Sequence, residues 1–271
     1  MTQRGLYAHC RTCDYWAAEL AHDVANTDAP DSEYELVSYE HTRRANYQRI
    51  LALLAKRHPT GSRLLELGCA DGLFLQMAET DNGYTTLGIE PNTKMMGASP
   101  RGEILHGFFP GVLGDRGDRF DIIALNCVLE HVPDIDAMID SFKRYLAPGG
   151  SVMINVPVSS GLMFKLSRAL YRMRVAYPFD RLWQKGFVSP HLHYFEKNNL
   201  ALLFANHGFE LVADTKLALF SLGGIYRRLA LDPNIRFVQR ISALGSLYAY
   251  YPVSRLIPDA RAFVFSARGA S

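Results

Sequence analysis

The chain has 271 residues, 48% of them apolar and 21% charged, with 29 Lys and Arg against 27 Asp and Glu. That length and apolar fraction suit one large domain with additions and exclude general disorder. A formal charge of +2 excludes a globally basic nucleic-acid binder, so any basic character has to be local. Arg4, Arg11, Asp14 and Glu19 interrupt the opening stretch, so no signal peptide is expected. The uncharged run 145–164 holds Pro148, Gly149, Gly150 and Pro157, which argues against a transmembrane helix. Cys10, Cys13, Cys69 and Cys127 are too few and too scattered for a disulfide framework. The expectation is a soluble, cytoplasmic protein.

In chain order, residues 1–34 read as an irregular arm ending near Ala29 and Pro30. Cys10 and Cys13 have the spacing of half a zinc knuckle, but a closed structural site needs four ligands, so no metal is expected. Residues 35–58 read as a helix with Tyr47, Leu51 and Leu54 on one face, ending before Pro59 and Gly61. From Arg63 onward, strands are expected at 64–67, 86–89, 120–125 and 152–156, with helices at 73–80 and 135–146 between them. That alternation predicts an α/β fold, a parallel sheet covered on both faces. After Pro157 come an insertion at 159–187, a helix at 197–207 and strands at 211–214 and 262–266. The aromatic-rich segment between those two strands carries no clear pattern.

The most informative segment is RLLELGCADG at 63–72, a buried strand running into a glycine-bearing turn and a helix. Gly68 and Gly72 let the backbone approach a ligand closely, and the helix start offers free amides. The next strand ends in Glu90. At the carboxyl edge of a doubly wound sheet, a carboxylate there accepts hydrogen bonds from both hydroxyls of a ribose. Each such charge-assisted bond contributes roughly 1.5 to 3 kcal/mol.

Four motifs in order carry a resemblance: LLELGCADG at 64–72, LGIEPN at 87–92, FDIIALNCVLEHVPD at 120–134 and LAPGGSVMINVP at 146–157. Over residues 35–214 the chain resembles a class I S-adenosylmethionine-dependent methyltransferase, similar to the ubiquinone-pathway O-methyltransferase group. The resemblance implies a Rossmann-like, mostly parallel seven-stranded sheet with helices on both faces, a helical insertion and a C-terminal cover. It implies S-adenosyl-L-methionine as cofactor. By that likeness Glu66, Gly68, Cys69, Ala70 and Gly72 shape the turn under its methionine portion. Glu90, followed by Pro91, would hold the ribose, Gly107 and Phe108 would flank the adenine, and Asn126 and Cys127 would face the methionine end. Ala70 stands where relatives often have glycine, which requires it to keep a negative φ. Cys10 and Cys13 look like the remnant of a zinc ribbon carried by some sugar methyltransferases.

Two other classes share parts of this pattern. A nicotinamide oxidoreductase needs three glycines in a GxGxxG pattern, and Ala70 and Leu73 occupy its second and third positions. A catalytically silent scaffold of the same fold would keep cofactor binding alone.

For catalysis, His131 is a candidate general base, since an unperturbed imidazole titrates near pH 6.5; alternatively Glu130 and His131 only fix their loop. His191 and His193 share a face in extended backbone and are equally candidates for base or for loop anchoring. Cys69 and Cys127 are expected to pack as small buried groups. In the insertion, Lys165, Arg168, Arg172, Arg174, Arg181 and Lys185 stand against Asp180 alone. Lys165, Arg168 and Arg172 share a helical face opposite Leu162, Leu166, Leu170 and Met173. The alternatives are a solvated lid and contact with an anionic membrane surface or a phosphate-bearing acceptor. The expected acceptor is a small molecule, O-methylated on a sugar, quinone or lipid-linked precursor, and no nucleic acid is expected.

Overall fold

A computed structural model of the chain describes residues 2–4, 6–21, 31–92, 94, 102–114, 116–218, 245, 248, 250–253 and 256–268. The expected boundary at Ala29 and Pro30, and most of the aromatic-rich segment before the last strand, lie outside the described residues. Among the described residues, no helix is long and apolar enough to cross a membrane.

The main sheet contains β4 (Arg63–Leu67), β5 (Thr85–Glu90), β6 (Glu103–His106), β7 (Phe120–Asn126), β8 (Leu146–Pro157), β10 (Phe209–Leu217) and β11 (Ala260–Ala267). Its order is β10-β11-β8-β7-β4-β5-β6, and β11 alone runs antiparallel to its neighbours. This is the seven-stranded, mostly parallel sheet that the motifs imply. Its central strands are continuous apolar runs because both faces are covered: Leu64, Leu65, Ile122, Ile123, Val152 and Met153 are all buried.

The alternation of side chains divides these residues between two cores. On one face Leu64, Ile122 and Met153 pack with Ile50, Leu51 and Leu54 of α1 (Asp31–Leu54) and Phe74 and Leu75 of α2 (Leu73–Asn82). On the other, Leu65, Ile123 and Val152 pack with Ile139 and Phe142 of α3 (Ile135–Tyr145) and Leu200 and Phe204 of α6 (Lys197–Asn206). Each fully buried side chain of this size stabilises the fold by roughly 1.5 to 3 kcal/mol.

Helix ends follow local chemistry. Gly72 and Gly83 bracket α2 at φ 73° and 66°, left-handed positions that glycine occupies without steric cost. Asp134 caps α3 by accepting the Ala137 amide, and Glu196 and Asn199 form a reciprocal capping box on α6.

The N-terminal residues differ from the irregular arm expected of them. β1 (Thr2–Arg4), β2 (Tyr7–His9) and β3 (Trp16–Ala18) form an antiparallel sheet, completed by β9 (His193–Tyr194) from the far side of the insertion. Strands of three residues carry no readable alternation; the sheet exists because β9 pairs with it and an aromatic core backs it. In that core Tyr7 and Trp16 pack with Phe164, Phe179, Trp183 and Tyr194. The insertion itself contains α4 (Leu162–Arg172) and α5 (Tyr177–Leu182). The N-terminal sheet and the insertion therefore make one cover above the ends of β7 and β8.

Candidate active site

The turn after β4 is organised by backbone bonds to the end of β5. Gly68 and Cys69 both donate their amides to the Ile89 carbonyl, at 2.8 and 3.1 Å. The next amide, Ala70, donates to Oε2 of Glu90 at 2.8 Å, and Asn92 donates to its Oε1 at 2.8 Å. A carboxylate has about four acceptor positions, so two remain for a ligand. Burial raises the Glu90 carboxyl above its ordinary value.

Gly68 has φ 67°, and a Cβ there would meet Cγ2 of Val128 at 2.7 Å. The turn after β4 and the loop after β7 are thus in direct contact, which only a bare backbone permits. Ala70 does not keep the negative φ expected of it. It sits at φ 47°, because its amide must face Glu90, and a left-handed alanine costs about 1 to 2 kcal/mol. Cys127, at the end of β7, is also left-handed at φ 55°. Two strained residues at adjoining strand ends are the pattern found at ligand-binding turns.

Glu66 lies beneath this turn, 1% exposed, and burial pushes its carboxyl up to about 8. Its Oε1 accepts Nδ2 of Asn126 at 2.8 Å, and Oδ1 of Asn126 accepts Nδ2 of Asn155 at 3.2 Å. Oε2 of Glu66 and Oδ1 of Asn155 have no partner among the described residues. A buried row of acceptors with two unused oxygens fits a cationic, hydrogen-bond-donating ligand. Together with Glu90 it fits a molecule with a ribose at one end and an ammonium at the other.

Sequence reasoning missed one participant. Arg43 of α1 donates to both oxygens of Asp71, at 2.8 and 2.5 Å, and lies over the Tyr47 ring. Burial alone would raise the Asp71 carboxyl; the Arg43 hydrogen bonds and charge outweigh it and hold the group below its ordinary value. No motif marks Arg43, which stands in a helix far from the turn in sequence.

The remaining cofactor candidates lie at the ends of β5 and β6. Gly107 follows β6 at φ 142°, Phe108 beside it is 51% exposed, and Pro91 is half-buried after Glu90. Cys69 is buried, whereas Cys127 is exposed at the mouth and does not pack as a small core group.

The candidate bases separate clearly. His131 presents Nδ1 to the Pro190 carbonyl at 3.0 Å; a carbonyl only accepts, so Nδ1 carries the proton and Nε2 is the basic nitrogen. The Tyr194 hydroxyl donates to the Leu182 carbonyl at 2.8 Å and so accepts Nδ1–H of His191 at 3.1 Å, which leaves Nε2 of His191 basic too. The two rings stand edge to face with centroids 4.8 Å apart. Burial, then the neighbouring His131, push His191 well below the ordinary imidazole value, so it is neutral at pH 7.

Glu130, 1% exposed, completes the cluster. Burial pushes its carboxyl up to about 8, and its Oε2 has no partner among the described residues. One ligand atom from each of Glu130, His131 and His191 lies within 4.8 Å of the others, a three-donor set that sequence reading, expecting no metal, did not foresee. His193 is committed at both nitrogens: Nε2 donates to the Val132 carbonyl at 2.9 Å and Nδ1 accepts the Tyr15 hydroxyl at 2.5 Å. It ties the N-terminal sheet to the loop after β7, with no nitrogen left to act as base.

The Methyltransferase domain family matches residues 39–214. The ubiquinone biosynthesis O-methyltransferase of Xylella fastidiosa (strain 9a5c) is 29% identical over 156 residues, 52% of this chain and 61% of that protein. The chain thus spans about three fifths of the length of that curated relative. A chain of the Haloferax volcanii complex between the Trm112 methyltransferase activator and a methyltransferase superposes with a TM-score of 0.60. It is 14% identical and covers 92% of this chain and 100% of that one. A SAM-dependent methyltransferase from Thiobacillus denitrificans, in complex with S-adenosyl-L-homocysteine, superposes with a TM-score of 0.51. It is 16% identical and covers 92% and 95% of the two chains. At these identities the likeness is one of fold.

Proposed function

This chain belongs to the Methyltransferase domain family, and from that premise we propose that it transfers a methyl group from S-adenosylmethionine to a small-molecule acceptor. The observation that carries the reading is the shared grip of Glu90 on the Ala70 and Asn92 amides, which sets a carboxylate at the rim of a bare-backbone turn.

In this reading Glu90 receives the ribose hydroxyls on its unused acceptor positions, and Phe108 lies against the adenine. Oε2 of Glu66, with Asn126 beside it, receives the ammonium of the methionine portion. When bound, the cofactor supplies an electrophilic sulfonium methyl. The N-terminal sheet and the insertion exclude water from above, and holding an acceptor in line lowers the barrier by roughly 7 to 11 kcal/mol. His131 or His191, each with Nε2 basic, takes the proton of an acceptor hydroxyl; His193 positions the loop that carries His131.

The acceptor class we favour is a hydroxyl on a sugar, quinone or lipid-linked precursor, methylated on oxygen. The curated relative above is named for ubiquinone biosynthesis, and an imidazole base suits an acidic phenol or enol better than an amine already bearing its lone pair. The test is transfer of labelled methyl from S-adenosylmethionine to a panel of catechols, hydroquinones and sugar hydroxyls. Label in a methyl ether supports the reading. Cofactor binding with no transfer to any class supports a silent scaffold instead.

A further inference from the structure

The Cys10 and Cys13 motif has no part in the activity proposed above. The two residues stand at the ends of the turn that joins β2 to β3. Cys10 closes that turn, donating its amide to the Tyr15 carbonyl at 2.8 Å and accepting the Asp14 amide on its own carbonyl at 2.9 Å. Asp14, left-handed at φ 56°, brings the chain back into β3. Both thiols are free and half-buried, and Arg11, Thr12 and Asp14 around them are exposed, so small solutes reach them. The Cys13 amide, the Cys13 thiol and the Thr12 amide all donate to the sulfur of Cys10 and hold it below the ordinary thiol value. Burial, and then the contact with Cys10, raise Cys13.

Two touching thiols in one turn, the first primed as a thiolate and the second held as a thiol, are the attacking and resolving halves of an exchange couple. A bridge across so short a loop removes little entropy from the unfolded chain, so a bond here would serve reversibility rather than stability. The turn is also wired to the site. The sulfur of Cys13 accepts the Tyr15 amide, and its carbonyl accepts Nδ2 of Asn199 at 2.9 Å, the residue that closes the capping box of α6. The Tyr15 hydroxyl donates to His193, whose other nitrogen holds the Val132 carbonyl, one residue past His131. Drawing the Cys13 sulfur from hydrogen-bond contact to a bonding distance of about 2 Å shifts it against the Tyr15 amide and the Asn199 side chain that hold it.

We infer that Cys10 and Cys13 form a reversible dithiol and disulfide site that exchanges with a low-molecular-weight disulfide of the glutathione class, and that its state passes through Tyr15 and His193 to the loop carrying His131. The Cys10 thiolate attacks one sulfur of glutathione disulfide, whose S–S bond breaks as one glutathione thiolate leaves. The Cys13 thiol then gives its proton to solvent and its sulfur attacks Cys10 in the mixed disulfide, expelling the second glutathione thiolate. The protein gives up two electrons and two protons, and glutathione disulfide gains them as two thiols. The site rests on the turn itself and stands whether or not the chain transfers methyl groups.

The test equilibrates the full chain, with and without prior treatment by a chelator, in graded ratios of glutathione to glutathione disulfide, traps free thiols with maleimide and maps them by peptide mass. Wild type is expected to lose the Cys10 and Cys13 thiols together in one two-electron transition to an internal disulfide, with the buried Cys69 still free. Cys13→Ser should stop with glutathione on Cys10, and Cys10→Ser should react more than about tenfold slower. Hydrogen exchange of amides 128–133 should differ at least about threefold between reduced and oxidised wild type, and not at all in Tyr15→Phe, which keeps the ring and loses the hydroxyl. Cooperative melting of each variant reports folding. A pair that stays reduced in the disulfide buffer, or that takes glutathione first on Cys13, overturns the inference. So do thiols blocked from the outset and freed by the chelator, because the pair then holds a metal. Equal exchange at 128–133 in the two states of wild type, or a difference that persists in Tyr15→Phe, overturns the link to the loop.

Discussion

Arg43 and Asp71 are joined by two parallel hydrogen bonds that fasten α1 across the turn between β4 and α2. The pair is partly buried, at 16% and 35% side-chain exposure, so removing the cation leaves an anion short of water beside Glu66. Arg43→Ala should lower unfolding free energy by about 2 kcal/mol and weaken S-adenosylhomocysteine at least tenfold. Urea titration and calorimetry check both. Loss of stability with intact affinity would mean that the pair only staples the helix.

Glu90 does two things at once, which the sequence did not reveal. Glu90→Ala should weaken cofactor binding by more than about tenfold, since each charge-assisted hydrogen bond contributes roughly 1.5 to 3 kcal/mol. It should also lower the apo melting temperature, because the Ala70 and Asn92 amides lose their acceptor. Unchanged affinity in calorimetry would remove the ribose assignment even if the melting point falls.

The three histidines should separate by phenotype. His131→Gln and His191→Gln are expected to depress turnover with cofactor affinity intact, the larger loss marking the base. His193→Gln should instead lower the melting temperature, since both its nitrogens hold structure together. Normal turnover in either of the first two variants strikes that residue from the mechanism.

Stability should vary with pH in a direction set by two buried acids. Burial raises Glu66 and Glu130 to about 8 in the folded chain, against an ordinary value near 4.5. Between these values the folded state holds protons that the unfolded state has released. Their contribution is therefore complete below about pH 4.5 and lost as pH rises through about 8, at up to about 1.4 kcal/mol per pH unit for each group. His191 and His193 are lowered by burial and act oppositely, favouring the folded state as pH rises through the ordinary imidazole range. Melting temperature should therefore peak on the mildly acidic side, at or below the ordinary imidazole value, and fall from there toward pH 8, and Glu130→Gln should flatten the alkaline fall. A melting temperature that rises steadily to pH 8 would contradict this.

The parallel core was legible because its strands are buried on both faces, so unbroken apolar runs mark them; β4, β5 and β7 begin or end within a residue of where the pattern puts them. The glycine turn and Glu90 were legible from spacing alone. What escaped was set by distant partners. β2 and β3 are three residues each and owe their pairing to β9 and an aromatic core. Arg43 matters only because α1 folds over Asp71, and Ala70 turns left-handed only because Glu90 waits for its amide. In α4 the period was plain, but its apolar stripe of Leu166, Leu170 and Met173 faces outward, and only packing decides which stripe holds the helix.

The most direct test of the central claim is calorimetry of the purified chain with S-adenosylmethionine, S-adenosylhomocysteine and NAD in parallel. The account predicts one-to-one binding of the first two, weakened in both by Glu90→Ala, and no heat with NAD. Saturable NAD binding, or none by either adenosyl compound to a chain that melts cooperatively, would contradict it.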